Sequence, residues 1–502
     1  MGASTSAGFS AYLVGMQGFV SRGFGAFGGA LGAMLLASAA RAETLVVGPG
    51  KAFAKPCAAI AAAHDDDVIE IDAQGDYGGD VCAISKNGLT LRGVGGRAKI
   101  DAQGKSSGGK GTWVISGRDT TVENLEFSGA TVPDQNGAGI RQEGDNLTVR
   151  SCYFHDNDDG ILTNASPQSQ ILIERCEFSH NGFGDGYSHN MYIGNVLRFT
   201  LRYSYSHDSK IGHLVKSRAV ENYILYNRLS GEKGTSSYEL DLPNAGTSFV
   251  IGNVIEQGPQ TDNPSMLAYG LEGTAPGNPG HALYVINNTF ANDRDNGGTF
   301  VNVGAAIDTP VRLQNNLFAG PGTLTNQASA VSSSNFSGGD PLLFAREVYD
   351  YNLQPGSPCV DQGTDPGSVG AFSLTPEWQY LHPSSARGRV GVGAIDIGAY
   401  ELGNGNEPGP GGAQGIPGTA GSNGAQGGAV NAQGGAVSAQ GGATTLTAGT
   451  GGAQLASPSA ETNSGCSCRA EPRGDAGSAR LLLLVPGAAL FRRRKWRRSR
   501  AV

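Results

Sequence analysis

The sequence predicts an all-β fold, a solenoid of short parallel strands that runs from Glu43 to Leu402. Three observations predict it. Most of this stretch repeats every 24 to 28 residues, each repeat contains short runs of alternating apolar residues, and glycine, asparagine and aspartate fill the turns between them. No repeat holds an amphipathic helix. Each repeat therefore forms one turn, with strands stacked about 4.8 Å apart.

The repeat is aligned on one anchor residue per turn, the last residue of segments such as "SCYF", "RCEF" and "NNTF". Successive anchors are 27, 24, 27, 24, 26, 35 and 28 residues apart. Adjacent runs such as "NLTV", "ILIE" and "YILY" have the alternation of half-buried strands. The anchors are Phe127, Phe154, Phe178, Tyr205, Leu229, Ile255, Phe290 and Phe318.

A polar column is predicted two residues before each anchor. Inward asparagines in such a column bond from turn to turn and satisfy the bent backbone there. Cys152 and Cys176 occupy the column on neighbouring turns with nearly parallel Cβ vectors, which disfavours a disulfide and favours stacked free thiols. The column reads Cys152, Cys176, Tyr203, Asn227, Asn253, Asn288 and Asn316.

The ends of the solenoid carry covering segments, as open strand edges require. "CAAIAAAHDDDVIEI", Cys57 to Ile71, predicts a short apolar helix that caps the N-terminal end and leads into a strand. Cys57 and Cys82 flank this unit and are predicted to pair, although sequence cannot prove the connectivity. "YDYNLQPGSPCVDQG", Tyr349 to Gly363, and "DIGAYE", Asp396 to Glu401, close the other end.

The repeat, the asparagine column and the closing segments together resemble the right-handed parallel β-helix of the pectate-lyase-like superfamily. The closing segments resemble those of exported bacterial β-helix proteins that carry interchangeable C-terminal anchors. The resemblance covers nearly the whole of residues 43–402 and implies a scaffold with any site on one outward face. The fold by itself does not define a function.

The N-terminal residues 1–42 are predicted to be a secretory signal peptide. They contain no acidic residue, Arg22 precedes the apolar run "GAFGGALGAMLLASA", and Ala40-Arg41-Ala42 fits cleavage after Ala42. The alternative is a disordered N-terminus with the true start at Met16 or Met34.

The C-terminal part separates into a linker and an anchoring segment. Residues 403–464 are almost uncharged and repeat "AQGGAV", which predicts a flexible linker. Residues 465–502 hold Cys466 and Cys468, an apolar stretch and then seven basic residues between Arg492 and Arg500, an order that resembles the C-terminal sorting signal of myxobacterial surface proteins. The resemblance implies surface attachment through these cysteines, with the membrane reached only through this segment. We expect an exported, surface-anchored and monomeric protein.

The charge of the chain disfavours nucleic acid as a partner. The formal net charge is −8, and without the nine basic residues of the two ends it is −17 for residues 43–491. The middle turns, Glu143 to Asp241, concentrate the charged residues and five of the eight histidines. His180 and His207 are predicted to stack on neighbouring turns, either as a solvated edge or as a metal or substrate contact.

The stretch "KSRAVENYILYN", from Lys216 to Asn227, resembles a segment of the polysaccharide lyase family that contains alginate lyases and chondroitinase B. In that family the lysine is the general base, so the resemblance implies this role for Lys216. The family's arginine on the next turn is replaced here by "SYELDLPNAG", and Arg218 or His213 are the candidates to replace it. The other predicted site residues are His189, Tyr192 and His207 for substrate, and Glu239 and Asp241 for calcium.

These observations predict a carbohydrate-directed protein that cleaves uronate-containing polysaccharides by β-elimination. The carboxylate of the uronate must then be neutralised, and a base must remove the neighbouring proton. The alternative is a non-catalytic, adhesin-like module that binds a cell-surface glycan. Convergence of the candidate residues in one groove would favour catalysis, and scattered ion pairs would favour the module.

Overall fold

The computed structural model describes residues 42–274 and 278–403, which form a right-handed parallel β-helix of about ten turns. The predicted signal peptide, linker and sorting cysteines lie outside these residues and stay predictions. Among the described residues, no helix is long and apolar enough to cross a membrane.

The first half of the solenoid contains one helix and strands β1 to β18. In chain order they are β1 (Thr44–Val47), α1 (Pro56–Ala62), β2 (Val68–Asp72), β3 (Cys82–Ile84), β4 (Thr90–Val94), β5 (Ala98–Asp101), β6 (Gly111–Ile115), β7 (Thr120–Glu123), β8 (Leu125–Ser128), β9 (Ala138–Gln142), β10 (Leu147–Arg150), β11 (Tyr153–His155), β12 (Asp159–Thr163), β13 (Ser166–Glu174), β14 (Glu177–Ser179), β15 (Met191–Ile193), β16 (Val196–Arg202), β17 (Tyr205–His207) and β18 (Lys216–Ser217).

The second half completes the turns and adds short hairpins and a 3₁₀ helix. The strands are β19 (Glu221–Leu225), β20 (Arg228–Ser230), β21 (Leu240–Leu242), β22 (Thr247–Ile251), β23 (Val254–Gln257), β24 (Ser265–Tyr269), β25 (Leu283–Ile286), β26 (Thr289–Asn292), β27 (Thr299–Val303), β28 (Arg312–Gln314), β29 (Leu317–Ala319), β30 (Thr323–Thr325), β31 (Val331–Ser333), β32 (Phe336–Ser337), β33 (Leu343–Ala345), β34 (Asp350–Leu353), β35 (Ser368–Val369), β36 (Phe372–Ser373), β37 (Trp378–Leu381) and β38 (Ser385–Gly388), with the 3₁₀ helix at Arg346–Val348.

Three parallel sheets form the faces of the solenoid. Sheet A has twelve strands, in the order β1-β2-β4-β7-β10-β13-β16-β19-β22-β25-β28-β31. Sheet B has ten, from β3 through β6, β9, β12, β15, β18, β21, β24 and β27 to β30. Sheet C also has ten, from β5 through β8, β11, β14, β17, β20, β23, β26 and β29 to β32. Every third strand therefore belongs to the same face, and a site on one face collects side chains from successive turns.

The core is a continuous stack of apolar side chains inside the three sheets. Phe127, Phe154 and Phe178 pair in register and stack nearly parallel, with ring centroids 5.0 and 4.9 Å apart. Phe290 and Phe318 repeat the arrangement at 5.1 Å. Such offset aromatic pairs stabilise the fold beyond the burial of their area.

The predicted polar column is confirmed for the asparagines. Asn227, Asn253 and Asn288 are fully buried, and each backbone N–H donates to the side-chain oxygen of the next asparagine at 2.9 to 3.0 Å. The amide group of Asn253 also donates to the Ile224 carbonyl at 2.8 Å. The column thus satisfies backbone groups at a bend where no strand partner is available.

The column prediction is wrong at Tyr203. The backbone N–H of Cys176 donates to the hydroxyl of Ser204 at 3.1 Å, so Ser204 holds the column position. Tyr203 instead has φ of 57°, like the residue before the column in neighbouring turns. The anchor moves with it, because Phe178 pairs with Ser206 and not with Tyr205.

The N-terminal end is covered by α1, which buries Pro56, Ala59 and Ile60 against the first turns. A disulfide joins Cys57 and Cys82. Cys152 and Cys176 are buried free thiols, and the backbone N–H of Cys152 contacts the Cys176 sulfur at 3.4 Å.

The segment after the last turn folds back onto the solenoid as antiparallel hairpins β33–β34, β35–β36 and β37–β38. The ring centroid of Phe372 lies 4.7 Å from that of Phe249 in sheet A, and the ring of Trp378 contacts that of Tyr203 edge-on. A buried ion pair of Arg389 and Glu401, 2.7 Å apart, fixes the segment. The segment after the last turn thus packs against the solenoid beside sheet A.

Candidate functional site on sheet B

The site residues meet where β15, β18 and β21 lie side by side in sheet B. Tyr192 pairs with Lys216, and Lys216 pairs with Asp241, so one outward position is occupied on three successive turns. The alternate residues Ile193 and Ser217 are fully buried in the solenoid. The period of two along a strand therefore directs Tyr192, Lys216 and Asp241 to the same outer surface.

Lys216 lies between two carboxylates. Its Nζ is 3.5 Å from Oδ2 of Asp241 and 3.7 Å from Oε1 of Glu272. The amine also lies 5.4 Å from the ring centroid of Tyr192, within the range of a cation–π contact. Only 12% of the lysine side chain is exposed. The amine is therefore enclosed by two carboxylates and an aromatic ring and has little contact with solvent.

Arg218 is held on three sides. Its Nη1 is 2.8 Å from Oε2 of Glu272, its Nε donates to the hydroxyl of Tyr192 at 2.7 Å, and its Nη1 donates to the side-chain oxygen of Asn244. The buried Asn278 donates its amide to the Arg218 carbonyl at 3.4 Å and fixes the backbone. The guanidinium is thus pre-positioned for a carboxylate.

Two buried histidines support the cluster from one side. The rings of His189 and His213 stack with centroids 4.5 Å apart. The backbone N–H of His213 donates to Nδ1 of His189 at 3.0 Å, and that of Tyr238 donates to Nδ1 of His213 at 3.3 Å. Both Nδ1 atoms are acceptors, so the neutral rings carry their proton on Nε2. Nε2 of His213 lies 3.4 Å from Oδ2 of Asp241.

The electrostatics of the cluster follow from burial. Burial lowers the pKa of His189 well below its usual value, and the charge of Lys216 acts in the same direction. Burial likewise lowers the pKa of His213, with His189 and Lys216 contributing. Burial raises the pKa of Asp241 to about 6 although the charge of Lys216 opposes it. Near neutral pH the cluster therefore holds two neutral imidazoles and two carboxylates, Asp241 and Glu272, beside Lys216 and Arg218.

The structure therefore brings together five of the six predicted catalytic and substrate residues, namely Lys216, Arg218, His213, His189 and Tyr192, and Asp241 lies with them. His207, the sixth of the predicted catalytic and substrate residues, lies elsewhere, because β17 belongs to sheet C. Its Nδ1 is 2.7 Å from Asp208 and its Nε2 is 3.4 Å from Glu177. His207 pairs in register with Ser179 and not with His180. The rings of His180 and His207 meet edge-on, with centroids 6.1 Å apart.

The two residues of the predicted calcium pair have different partners. Asp241 contacts Lys216 and His213, whereas Glu239 is fully buried and accepts from the Gln257 amide at 3.3 Å. Burial, with the nearby Glu256, raises the pKa of Glu239 well above its usual value. A neutral, buried carboxyl with its own partner does not fit calcium, and we assign no step to this metal.

Another group, on sheet C, has ligand-like geometry. Within residues 42–274 and 278–403, the group of three His, Cys, Asp or Glu side chains close enough for one ion is His207, Asp208 and Glu232. Arg228 lies 2.7 Å from Glu232, and His207 is bound by carboxylates on both nitrogens. These contacts make it an ion-pair network. A cleft beside it shares no residue with the sheet B cluster and is lined by His180, Asp208, Ser209, Lys210, Lys233, Gly234 and Thr235.

Two residues of the site were not predicted, Asn244 and Glu272. Both follow strands of sheet B, in the turns after β21 and β24. The backbone N–H of Glu272 donates to the Pro243 carbonyl at 3.0 Å, which stacks the two turns. Their sequence signal is weak because turn residues vary in number from repeat to repeat, and Glu272 falls in the longest repeat.

One family match and three structural similarities relate the chain to known proteins. Residues 80–234 match the family described as "Right handed beta helix region". A pectate lyase structure, Pel9A, aligns at 14% identity and a TM-score of 0.41, over 72% of this chain and 96% of that one. A pectin methylesterase from Yersinia enterocolitica aligns at 14% identity and a TM-score of 0.30, over 42% of this chain and 81% of that one. ORF18 of Geobacillus virus E2 aligns at 15% identity and a TM-score of 0.31, over 54% of this chain and 52% of that one. No curated protein sequence matches the chain.

The three parallel sheets therefore define the fold class, a right-handed β-helix, and the family match is confined to residues 80–234. A fold by itself does not define a function, so a proposal of function must come from the side chains of the sheet B cluster.

Proposed function

We propose that the sheet B cluster binds the carboxylate of a uronate-containing polysaccharide and cleaves the chain by β-elimination. One observation carries the proposal: Lys216 and Arg218, both mostly buried, together hold a single carboxylate, that of Glu272, at 3.7 and 2.8 Å. A uronate carries the same chemical group on each sugar. The pair of cations is therefore built to receive it.

The elimination would use the residues in distinct positions. Arg218, oriented by Tyr192 and Asn244, neutralises the uronate carboxylate and makes the proton on the adjacent carbon more acidic. Lys216 in its neutral form removes that proton. The electron pair forms the carbon–carbon double bond as the glycosidic carbon–oxygen bond breaks. The departing oxygen takes a proton, for which the hydroxyl of Tyr192 is the positioned donor because it accepts from Arg218.

Lys216 can act as a base only after it loses its proton. Glu272 contacts both Lys216 and Arg218, so the reaction requires Glu272 to move aside before the uronate reaches either residue. His189 and His213, neutral and stacked, hold Asp241 and the turn in place.

The test uses the full-length protein with polygalacturonate, alginate and chondroitin sulfate. The unsaturated product is read by its ultraviolet absorbance. We expect cleavage of at least one polymer by the wild type and a loss of about 10²–10⁴ in rate in Lys216→Ala. Lys210→Ala is the matched control, since Lys210 is exposed and lies in the cleft of sheet C. Absence of product from all three polymers would contradict the lyase proposal.

A second candidate is a non-catalytic module that binds the same uronate polymers. The observation that favours it is the position of Lys216 between two carboxylates, Asp241 and Glu272, which is the geometry of a residue that binds carboxylates. Binding of a uronate polymer without product, lost in Arg218→Ala and kept in Lys210→Ala, would establish this candidate.

A further inference from the structure

The Glu272 carboxylate occupies the solvent side of the cation pair. Half of its side chain is exposed, compared with 12% of Lys216 and 22% of Arg218. One carboxylate oxygen faces each cation, Oε1 toward Lys216 and Oε2 toward Arg218. An incoming carboxylate would meet Glu272 before it met either cation.

The backbone of Glu272 is fixed by the stacking of turns, whereas its side chain is held by ion pairs. Its backbone N–H is bonded to Pro243, and the neighbouring Gly270 N–H donates to the Leu242 carbonyl at 2.8 Å. Among residues 42–274 and 278–403, the contacts of its side chain are the ion pairs with Lys216 and Arg218. Burial opposes the charge of Glu272, but the hydrogen bond from Arg218 and the charge of Lys216 outweigh it and lower its pKa. A half-exposed ion pair of this kind is weak and exchanges readily.

We propose that Glu272 is a built-in competitor that selects for acidic ligands, since only a ligand that brings its own carboxylate can replace it on Lys216 and Arg218. The inference rests on the proposed function for the identity of the ligand, a uronate oligosaccharide. A neutral sugar that pushed Glu272 aside would remove the ion-pair partner of Arg218 and leave Lys216 with Asp241 alone, which is costly for mostly buried cations. Specificity then comes from the penalty on the wrong ligand as much as from contacts with the right one.

The competition has a measurable consequence for affinity. Glu272 lowers the fraction of protein with a free carboxylate site, so the apparent affinity is reduced by that fraction. Removing its charge should tighten the binding of acidic ligands and weaken the discrimination against neutral ones. A purely structural ion pair would show neither effect, because its loss would lower stability and leave affinity unchanged.

The experiment compares the full-length wild type with Glu272→Gln, Glu272→Ala and the matched control Glu347→Gln, which makes the same change at an exposed position. Trigalacturonate and its carboxyl-reduced neutral counterpart are titrated calorimetrically. We expect both Glu272 variants to bind trigalacturonate roughly 10-fold more tightly, as loss of a competing charge-assisted bond predicts, and Glu347→Gln to match the wild type.

A second probe separates this inference from the proposed function. The same proteins are unfolded thermally in sodium acetate and in sodium chloride of equal ionic strength. Acetate should raise the Tm of Glu272→Ala more than that of the wild type, and the effect should vanish in Glu272→Ala/Arg218→Ala. If no protein binds trigalacturonate but acetate has this effect, the uronate proposal fails and the Glu272 inference stands. If the Glu272 variants gain neither acetate nor trigalacturonate binding, the inference is overturned.

Discussion

The backbone N–H of His213 donates to Nδ1 of His189 on the preceding turn, and the two imidazoles stack 4.5 Å apart beneath Asp241 and Lys216. Both rings are almost completely buried, at 1% and 8% exposure. Because this bond requires an Nδ1 without a proton, it fixes the neutral tautomer of His189 that carries its proton on Nε2.

Replacing His189 with alanine should destabilise the protein. The N–H of His213 would then be buried without an acceptor, at a cost of about 1–3 kcal/mol, and the lost stacking would add to it. Urea unfolding of His189→Ala against the exposed control His64→Ala measures the difference. A free energy of unfolding equal to that of the control would contradict the role given to this bond.

The same pair sets one pH dependence. The folded-state pKa values of His189 and His213 are lowered, so below about pH 6.5 the unfolded chain binds more protons than the folded one. Stability from this pair should fall as the pH drops from 7 toward 5. The fall should be smaller in a His189→Asn variant, when both proteins are unfolded with urea at each pH. An unchanged slope would contradict the assignment of neutral, buried rings.

Histidines on sheet C should act in the opposite direction. The hydrogen bond to Glu126 raises the pKa of His155 against the effect of burial. Burial alone would lower the pKa of His207, but hydrogen bonds to Asp208 and Glu177 outweigh it. Stability from these rings is fully present below the unfolded pKa of about 6.5 and is lost as the pH rises through the folded pKa. His155→Gln should lose stability at pH 5.5 and much less at pH 8, as followed by urea unfolding. Equal losses at the two pH values would contradict the charged form.

The column of buried asparagines gives a prediction for the fold itself. Asn253 accepts from the backbone of Asn227 and donates to the Ile224 carbonyl, so Asn253→Leu would leave both groups without partners. We expect a loss of about 1–3 kcal/mol for each unsatisfied group. The matched control is Asn302→Leu, on the outer face of β27, where the side chain is half-buried. Similar losses at the two positions would mean that the column is not the source of the stability.

The fold was more accessible from sequence than the site because the two depend on different features. A solenoid repeats its core, so Phe127, Phe154 and Phe178 recur at a visible period and the asparagine column follows from them. The error at Tyr203 arose because the turn that leads from Cys176 to Ser204 contains one residue more than the alignment on Tyr205 assumes. The left-handed backbone at Tyr203 leaves no clear mark in the segment "RYSY".

The site was predicted only in part because spacing gives the turn of the solenoid but not the face. Lys216 and His207 are both in charged, histidine-rich segments, yet one lies on sheet B and the other on sheet C. Glu239 and Asp241 differ by two residues and were expected to share a metal, but β21 begins at Leu240 and Glu239 lies outside the regular strand. Glu272 had no signal, since its role depends on how the turn after β24 stacks on the turn after β21.

Tyr192 provides the sharpest test of how the cluster works. Its hydroxyl accepts from Nε of Arg218 at 2.7 Å, and its ring lies 5.4 Å from the Lys216 amine and 5.6 Å from the Arg218 guanidinium carbon. Tyr192→Phe keeps the ring and both cation contacts but removes the acceptor and the proton donor. If the hydroxyl only orients Arg218, the KM for the uronate polymer should rise roughly 10-fold with kcat nearly unchanged, because ground-state and transition-state binding are lost together.

If the hydroxyl of Tyr192 also protonates the departing oxygen, kcat should fall by about 10²–10⁴, which is the usual effect of removing a positioned general acid. The comparison variant is Tyr187→Phe, since Tyr187 is exposed and loses the same hydroxyl. Wild-type values of both constants in Tyr192→Phe would remove the hydroxyl from the mechanism and leave the aromatic ring as its only contribution.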